Sequence, residues 1–105
     1  MPPKKFYIPK KKIKHYLLSS KHQQGKDKAF FFKYIGLDSF VKLNKVIILI
    51  AKTNKPDKIL HTSYGNIVVT NGTYSNEKGK KYKIRTVWIE KQKRFDLVSA
   101  HPKKL

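Results

Sequence analysis

Lys81-Tyr-Lys-Ile-Arg-Thr-Val-Trp-Ile-Glu90 reads as a β-strand, because β-branched and aromatic residues recur in it at period two with no Gly or Pro to interrupt them. The same rhythm appears on either side, in Ile59–Tyr64, Ile67–Thr70 and Phe95–His101. Gly65-Asn66, Asn71-Gly72 and Asn76–Gly79 supply turn signals between these runs. Everything after Pro56 is therefore expected to be a series of hairpins.

Upstream of Pro56 the spacing is helical. Ile13, Tyr16 and Leu17 predict a short helix over Lys12–Ser20, followed by a polar loop, Lys21–Asp27, that contains Gly25. Lys28–Ile35 is expected to form a second short helix, with Asp27 as N-cap and Gly36 just past its end. Asp38 or Ser39 can cap a third, whose apolar stripe is Phe40, Leu43, Ile47 and Ile50 and whose stop is Asn54. Helices followed by hairpins predict an α+β domain of about three N-terminal helices packed on a four- to five-stranded antiparallel sheet. At 105 residues there is room for one such domain, assigned to 13–105. Residues 1–12 are read as a basic arm, with Lys4, Lys5, Lys10, Lys11 and Lys12 around Phe6, Tyr7 and Ile8, and with Pro2, Pro3 and Pro9 opposing a helix.

The charge narrows the choice of partner. Lys and Arg number 25 against 6 acidic residues, for a net charge of +19. Such a chain repels itself when folded, and a polyanion relieves the repulsion. Nucleic acid fits best, RNA ahead of DNA, with an anionic membrane or an acidic protein as alternatives. A basic amphipathic helix with a broad apolar face is missing, which weakens the membrane alternative. Composition drift can raise Lys, but it does not account for so few acidic residues. No cysteine is present, which rules out disulfides and thiolate zinc sites and suits a reducing cytoplasm. Met-Pro-Pro-Lys-Lys leads into no apolar run suited to a signal peptide, and Val46–Ala51 is too short to span a bilayer.

The histidines at 15, 22, 61 and 101 have no metal-ligand spacing, and the carboxylates are scattered. No Gly-rich phosphate loop appears, and no cofactor is called for. These features disfavour metal-dependent nucleases and nucleotide hydrolases. RNA brings its own nucleophile, the 2′-hydroxyl, so a metal-free ribonuclease needs only a proton acceptor, a proton donor and cations for the phosphorane. His22-Gln-Gln-Gly-Lys-Asp-Lys28 offers a histidine and two lysines near a helix start, though an exposed polar loop would look the same. Arg85 is one of only two arginines in a chain that otherwise uses Lys, and its planar fork suits phosphate. Its neighbours Thr86 and Trp88 read first as a β-former and a core residue. His15 and His61 read as structural.

The last hairpin has two possible registers. A centre between Gln92 and Lys93 pairs Thr86 with Ser99 and Ile84 with His101 on one polar face, leaving Val87, Ile89, Val98 and Ala100 toward the helices. A shift of one residue pairs Arg85 with His101 instead. Either way a His, a hydroxyl and an Arg gather near one end of the sheet.

His22-x-x-Gly25-x-x-Lys28-Ala29-x-Phe31, Tyr64-Gly65, Arg85-Thr86-Val87-Trp88-Ile89 and Ser99-Ala100-His101-Pro102 together resemble an uncharacterised bacterial domain. That domain occurs as small toxin-like proteins beside antitoxin-like partners and at the C-termini of large secreted toxins. It is similar to the barnase–EndoU–colicin–RelE group of metal-independent ribonucleases. The resemblance spans roughly residues 8–102, and Arg-Thr-Val-Trp-Ile is its most specific piece. Gln23 replaces the Pro usual in the family, and His101 stands where a Tyr is usual.

The resemblance implies a toxin that cleaves RNA in the cytoplasm by 2′-hydroxyl transesterification and is held in check by an acidic antitoxin or immunity protein. His22 and His101 would be the acid–base pair, in either order. Lys28 and Arg85 would stabilise phosphate charge, Thr86 and Ser99 would position it, and Trp88 or Tyr64 would hold a base. Lys10, Lys11 and Lys12 of the arm would add sequence-independent affinity. The competing expectation is a basic RNA- or DNA-binding module without catalysis.

Overall fold

Ser39 starts the long helix of the computed structural model, which describes residues 5–9, 11, 32–37 and 39–102. The Ser39 hydroxyl accepts the Lys42 N–H at 3.2 Å and satisfies one of the amides that open helix α1, Phe40–Thr53. Leu43, Ile47, Ile50 and Ala51 form its buried stripe. At the far end Asn54 leaves helical geometry, and its side-chain amide donates to the Ile50 carbonyl at 2.8 Å.

The strands are β1 (Lys5–Tyr7), β2 (Lys58–Thr62), β3 (Gly65–Ser75), β4 (Lys81–Glu90) and β5 (Arg94–Pro102). They lie in the order β1-β5-β4-β3-β2. β2 to β5 are antiparallel neighbours, whereas β1 runs parallel to β5. This corrects the expected architecture. The sheet is mixed rather than antiparallel, and the described residues are 50% strand and 24% helix. The helical residues among them are Lys11, 32–34 and Phe40–Thr53. The helix expected over Lys12–Ser20 and the loop after it lie outside the described residues.

β1 also corrects the idea of a separate arm. Phe6 stacks on Phe95 with centroids 5.0 Å apart and meets Trp88 edge-on at the same separation. Ile8 joins the core. The aromatic residues set among the lysines are therefore what fastens this segment to the sheet.

One face of the sheet carries Val68, Thr70, Ile84, Thr86, Trp88, Leu97 and Ala100, all buried. α1 lies against this face, and Gly72 marks the closest approach. A Cβ there would come within 2.7 Å of an Ile50 methyl and 2.8 Å of the Asn54 amide nitrogen. Asn71-Gly72 therefore serves as a packing notch inside an eleven-residue strand and not as a turn.

Candidate functional site

The opposite face of β4 presents Lys83, Arg85, Val87 and Ile89, since alternate residues of a strand point to opposite sides. β5 meets this face through a bulge. From Glu90↔Phe95 to Trp88↔Leu97 the pairing follows a centre between Gln92 and Lys93. Val87 then pairs with Ser99, so Val98 is an extra residue. Beyond it Arg85 lies opposite His101, and Ser99 and His101 leave the sheet on the Arg85 side. Residues directly opposite in an antiparallel pair have Cβ atoms about 5 Å apart.

Arg85 is held by two groups. Its Nε–H donates to Asn71 Oδ1 at 3.0 Å, and Nη2 lies 3.9 Å from Asp57 Oδ2. The guanidinium is 30% exposed and Asp57 44%, so the ion pair is a weak surface contact that orients more than it stabilises. Asn71 is the cross-strand partner of Arg85 on β3. Asn71 and Asp57 were not among the residues singled out from sequence, because their relation to Arg85 exists only once the register is known.

Thr86 and Trp88 belong to the other side. Both are fully buried. The indole Nε1–H donates to Thr86 Oγ1 at 2.8 Å, and the Thr86 and Thr70 hydroxyls share a further hydrogen bond. This small network satisfies the polar atoms of the core and leaves neither residue facing a ligand. The expected phosphate and base contacts of Thr86 and Trp88 are thus replaced by packing, because β4 has the parity opposite to the one first considered.

Tyr64 is 88% exposed on the β2–β3 turn, at the end of the sheet where Asn66 pairs with Glu90. Five residues of strand separate Glu90 from Arg85, about 17 Å, so Tyr64 does not share their site. Lys11 is exposed. Lys10, Lys12, His22 and Lys28 lie outside the described residues. His61 is exposed on β2 and bonds Asn66 Oδ1 through Nδ1 at 2.7 Å.

Near the β4–β5 turn Asp96 is largely buried between two cations, with Lys91 Nζ 2.8 Å and Arg94 Nε 2.7 Å from its oxygens. Burial pushes its pKa up, but the Lys91 hydrogen bond and the charges of Arg94 and Lys91 outweigh that and hold the carboxyl below its ordinary range. The guanidinium of Arg94 also lies over the Tyr7 ring, 4.4 Å from its centroid, which ties β1 to the same corner.

Among the described residues no three His, Cys, Asp or Glu side chains gather into a metal-binding group. No helix among them is long and apolar enough to cross a membrane.

No curated protein matches the chain. Among solved structures, it is similar to a chain of the contact-dependent growth inhibition toxin–immunity protein complex from Klebsiella pneumoniae 342. The TM-score is 0.73, 93% of each chain is covered and the identity is 16%, so the likeness is one of fold. The family described as "Domain of unknown function (DUF6883)" matches residues 3–104, and the chain belongs to that family.

Proposed function

We propose that the chain is a toxin domain that cleaves RNA without a metal ion, with Arg85 and His101 at the reacting phosphate. The observation that carries this is their pairing across β4 and β5, which sets a fixed cation beside a proton-transfer group on one face. The fold likeness to a chain of a toxin–immunity protein complex supports the toxin role and a neutralising partner. The +19 charge supports a polyanionic substrate in the cytoplasm and an acidic partner to mask the basic surface.

A base takes the proton of the 2′-hydroxyl, and O2′ then attacks phosphorus. The bond to the 5′-oxygen breaks as an acid protonates that oxygen, giving a 2′,3′-cyclic phosphate and a free 5′-hydroxyl. His101 supplies one of these proton transfers, and His22 is the candidate for the other. Arg85, oriented by Asn71, stabilises the charge that builds on the phosphorane oxygens. Ser99, two residues from His101 on the same strand face, would hold a phosphate oxygen.

Incubating the purified chain with end-labelled single-stranded RNA in EDTA tests the reading. Cleavage leaving cyclic phosphate ends, blocked by a 2′-O-methyl group at the scissile nucleotide, is the expected result. RNA binding that falls with salt but never leads to cleavage would instead identify a non-catalytic binding module.

A further inference from the structure

On the helix-bearing side of the sheet, past the end of the core, lies a groove of about 520 Å³ lined by Tyr34, Tyr74, Tyr82, Lys42, Lys78 and Lys80. We propose that this groove binds single-stranded RNA, stacking a base on its tyrosines and taking the flanking phosphates on its lysines. The inference rests on the reading that the chain binds RNA, but not on cleavage.

Tyr74 and Tyr82 are cross-strand partners on β3 and β4. They continue the face that carries Gly72 and Ile84, and both rings are half-buried and packed against the edge of the core. Tyr34 meets Tyr82 edge-to-face at 6.5 Å and 86°, and it is 65% exposed. A ring as open as that of Tyr34 contributes little to folding, whereas every base has a π-face that can use it.

The cations come from two directions. Lys42 stands on the first turn of α1. Lys78 and Lys80 stand on the β3–β4 turn, with Lys80 Nζ 5.8 Å from the Tyr82 centroid. That turn is pinned by Asn76, whose Oδ1 accepts the amides of Lys78 and Lys80 at 3.0 and 2.9 Å. Its backbone adds Asn76 N–H to Lys80 O and Gly79 N–H to Asn76 O, both at 2.9 Å. The two lysines are thus presented from a rigid frame, which reduces the ordering cost of binding. Glu77 is the one acidic residue in the lining, and it is exposed on the turn. Three cations against one anion, interleaved with three tyrosines, match a polyanion that carries aromatic bases. An acidic protein surface would use the charge but not the rings.

Arg85 and His101 lie on the other face, so the groove is separate from the proposed cleavage site. The test uses a fluorescein-labelled 2′-O-methyl oligonucleotide, which cannot be cleaved, and reads its affinity by anisotropy. Tyr34→Ala and the double variant Lys78→Ala/Lys80→Ala should each weaken binding about tenfold. Tyr34→Phe should bind like the parent. The probe cannot be cleaved, so its affinity is read separately from the catalytic proposal, and His61→Ala, exposed on β2 away from the groove, should bind it like the parent. Circular dichroism melts confirm that each variant folds. Parental affinity in both Tyr34→Ala and the double lysine variant would overturn the proposal. So would an equal loss for polyglutamate of matched length in Tyr34→Ala, because the groove would then be only a site for acidic chains.

Discussion

Arg85 and His101 are cross-strand partners because β5 carries one residue, Val98, that β4 does not match. Were Val98 paired in regular register, the turn centred between Gln92 and Lys93 would place His101 opposite Ile84, on the side covered by α1. Whether Val98 is bulged or paired thus decides whether the histidine meets the arginine or the core.

Deleting Val98 closes the bulge but leaves Ser99 opposite Val87 and His101 opposite Arg85, so RNA cleavage should persist. Inserting one Ala between Val98 and Ser99, with the bulge kept, shifts the pairing by one and turns Ser99 and His101 to the core side. Cleavage should then vanish and the melting temperature should fall, since a polar pair would replace apolar packing. Cross-strand NOEs between the backbones of Arg85 and His101 report the register directly, and their loss on deletion of Val98 would show that Val98 is not the unmatched residue.

Arg85→Ala and His101→Ala should each reduce cleavage by about 10²–10⁴-fold. Neither is in the buried core, so unfolding free energy should change by less than about 1 kcal/mol. Asn71→Ala should cause a smaller loss of rate, because it frees Arg85 without removing the charge. Single-turnover cleavage and urea melts on the same preparations distinguish these effects. Rates within twofold of the parent for both Arg85→Ala and His101→Ala would remove this face from the mechanism.

Gly72→Ala should destabilise the fold. The added methyl group meets buried Ile50 and the capping Asn54 at less than 3 Å, so α1 must shift or a side chain must leave its rotamer. Overpacking of this kind costs about 1–3 kcal/mol. A thermal melt should show a fall of roughly 4–8 °C per kcal/mol for a domain of this size. An unchanged melting temperature would mean that the helix does not press on β3.

Asp96 links stability to acid. Its pKa is lowered in the folded state relative to the unfolded value of about 3.9. The ionised form is therefore favoured by folding, and the contribution is fully present above that unfolded value. It is lost as pH falls through the folded pKa. Asp96→Asn should be less stable than the parent at pH 7, and the gap should close below about pH 4. A gap that stays constant from pH 7 to pH 3 would show that the ion pairs with Lys91 and Arg94 contribute nothing.

Removing residues 1–8 should do two things at once. It removes Lys4 and Lys5, so the salt dependence of RNA binding should flatten, by about 0.7 per lost phosphate contact on a single strand. It also removes Phe6 and Ile8 from the core, which should cost roughly 3 kcal/mol or more. A truncated chain with the parental melting temperature would restore the picture of a detachable arm.

Several elements were legible because local chemistry decides them. Ser39, the Leu43–Ile47–Ile50 stripe and Asn54 delimit α1 without help from the rest of the chain. Lys81–Glu90 is bounded by its own turn residues and was read to the residue. The mixed sheet was not legible, since Phe6 finds Phe95 only across nearly the whole length of the chain. Asn71-Gly72 has the composition of a turn, and only the position of Ile50 explains why the strand runs through it. For the candidate site, period two cannot fix parity, and an unmatched Val in an apolar strand looks like any other Val. Thr86 and Arg85 are adjacent, so one parity decision sent one to the core and the other to the surface.

The parallel pairing of β1 with β5 has a kinetic consequence. The contact Lys5↔Arg94 joins strands from opposite ends of the chain, and the hairpins that carry β2 to β5 are local. Loop-closure entropy makes such a distant pairing slow and places it after the hairpins. The strand made first must therefore wait for the strand made last, and until β5 is available Phe6 has no Phe95 to stack on. A chain halted or threaded before Arg94 lacks both β1's partner and the segment carrying His101, so the sheet edge and the proposed cleavage face are completed by the same late step.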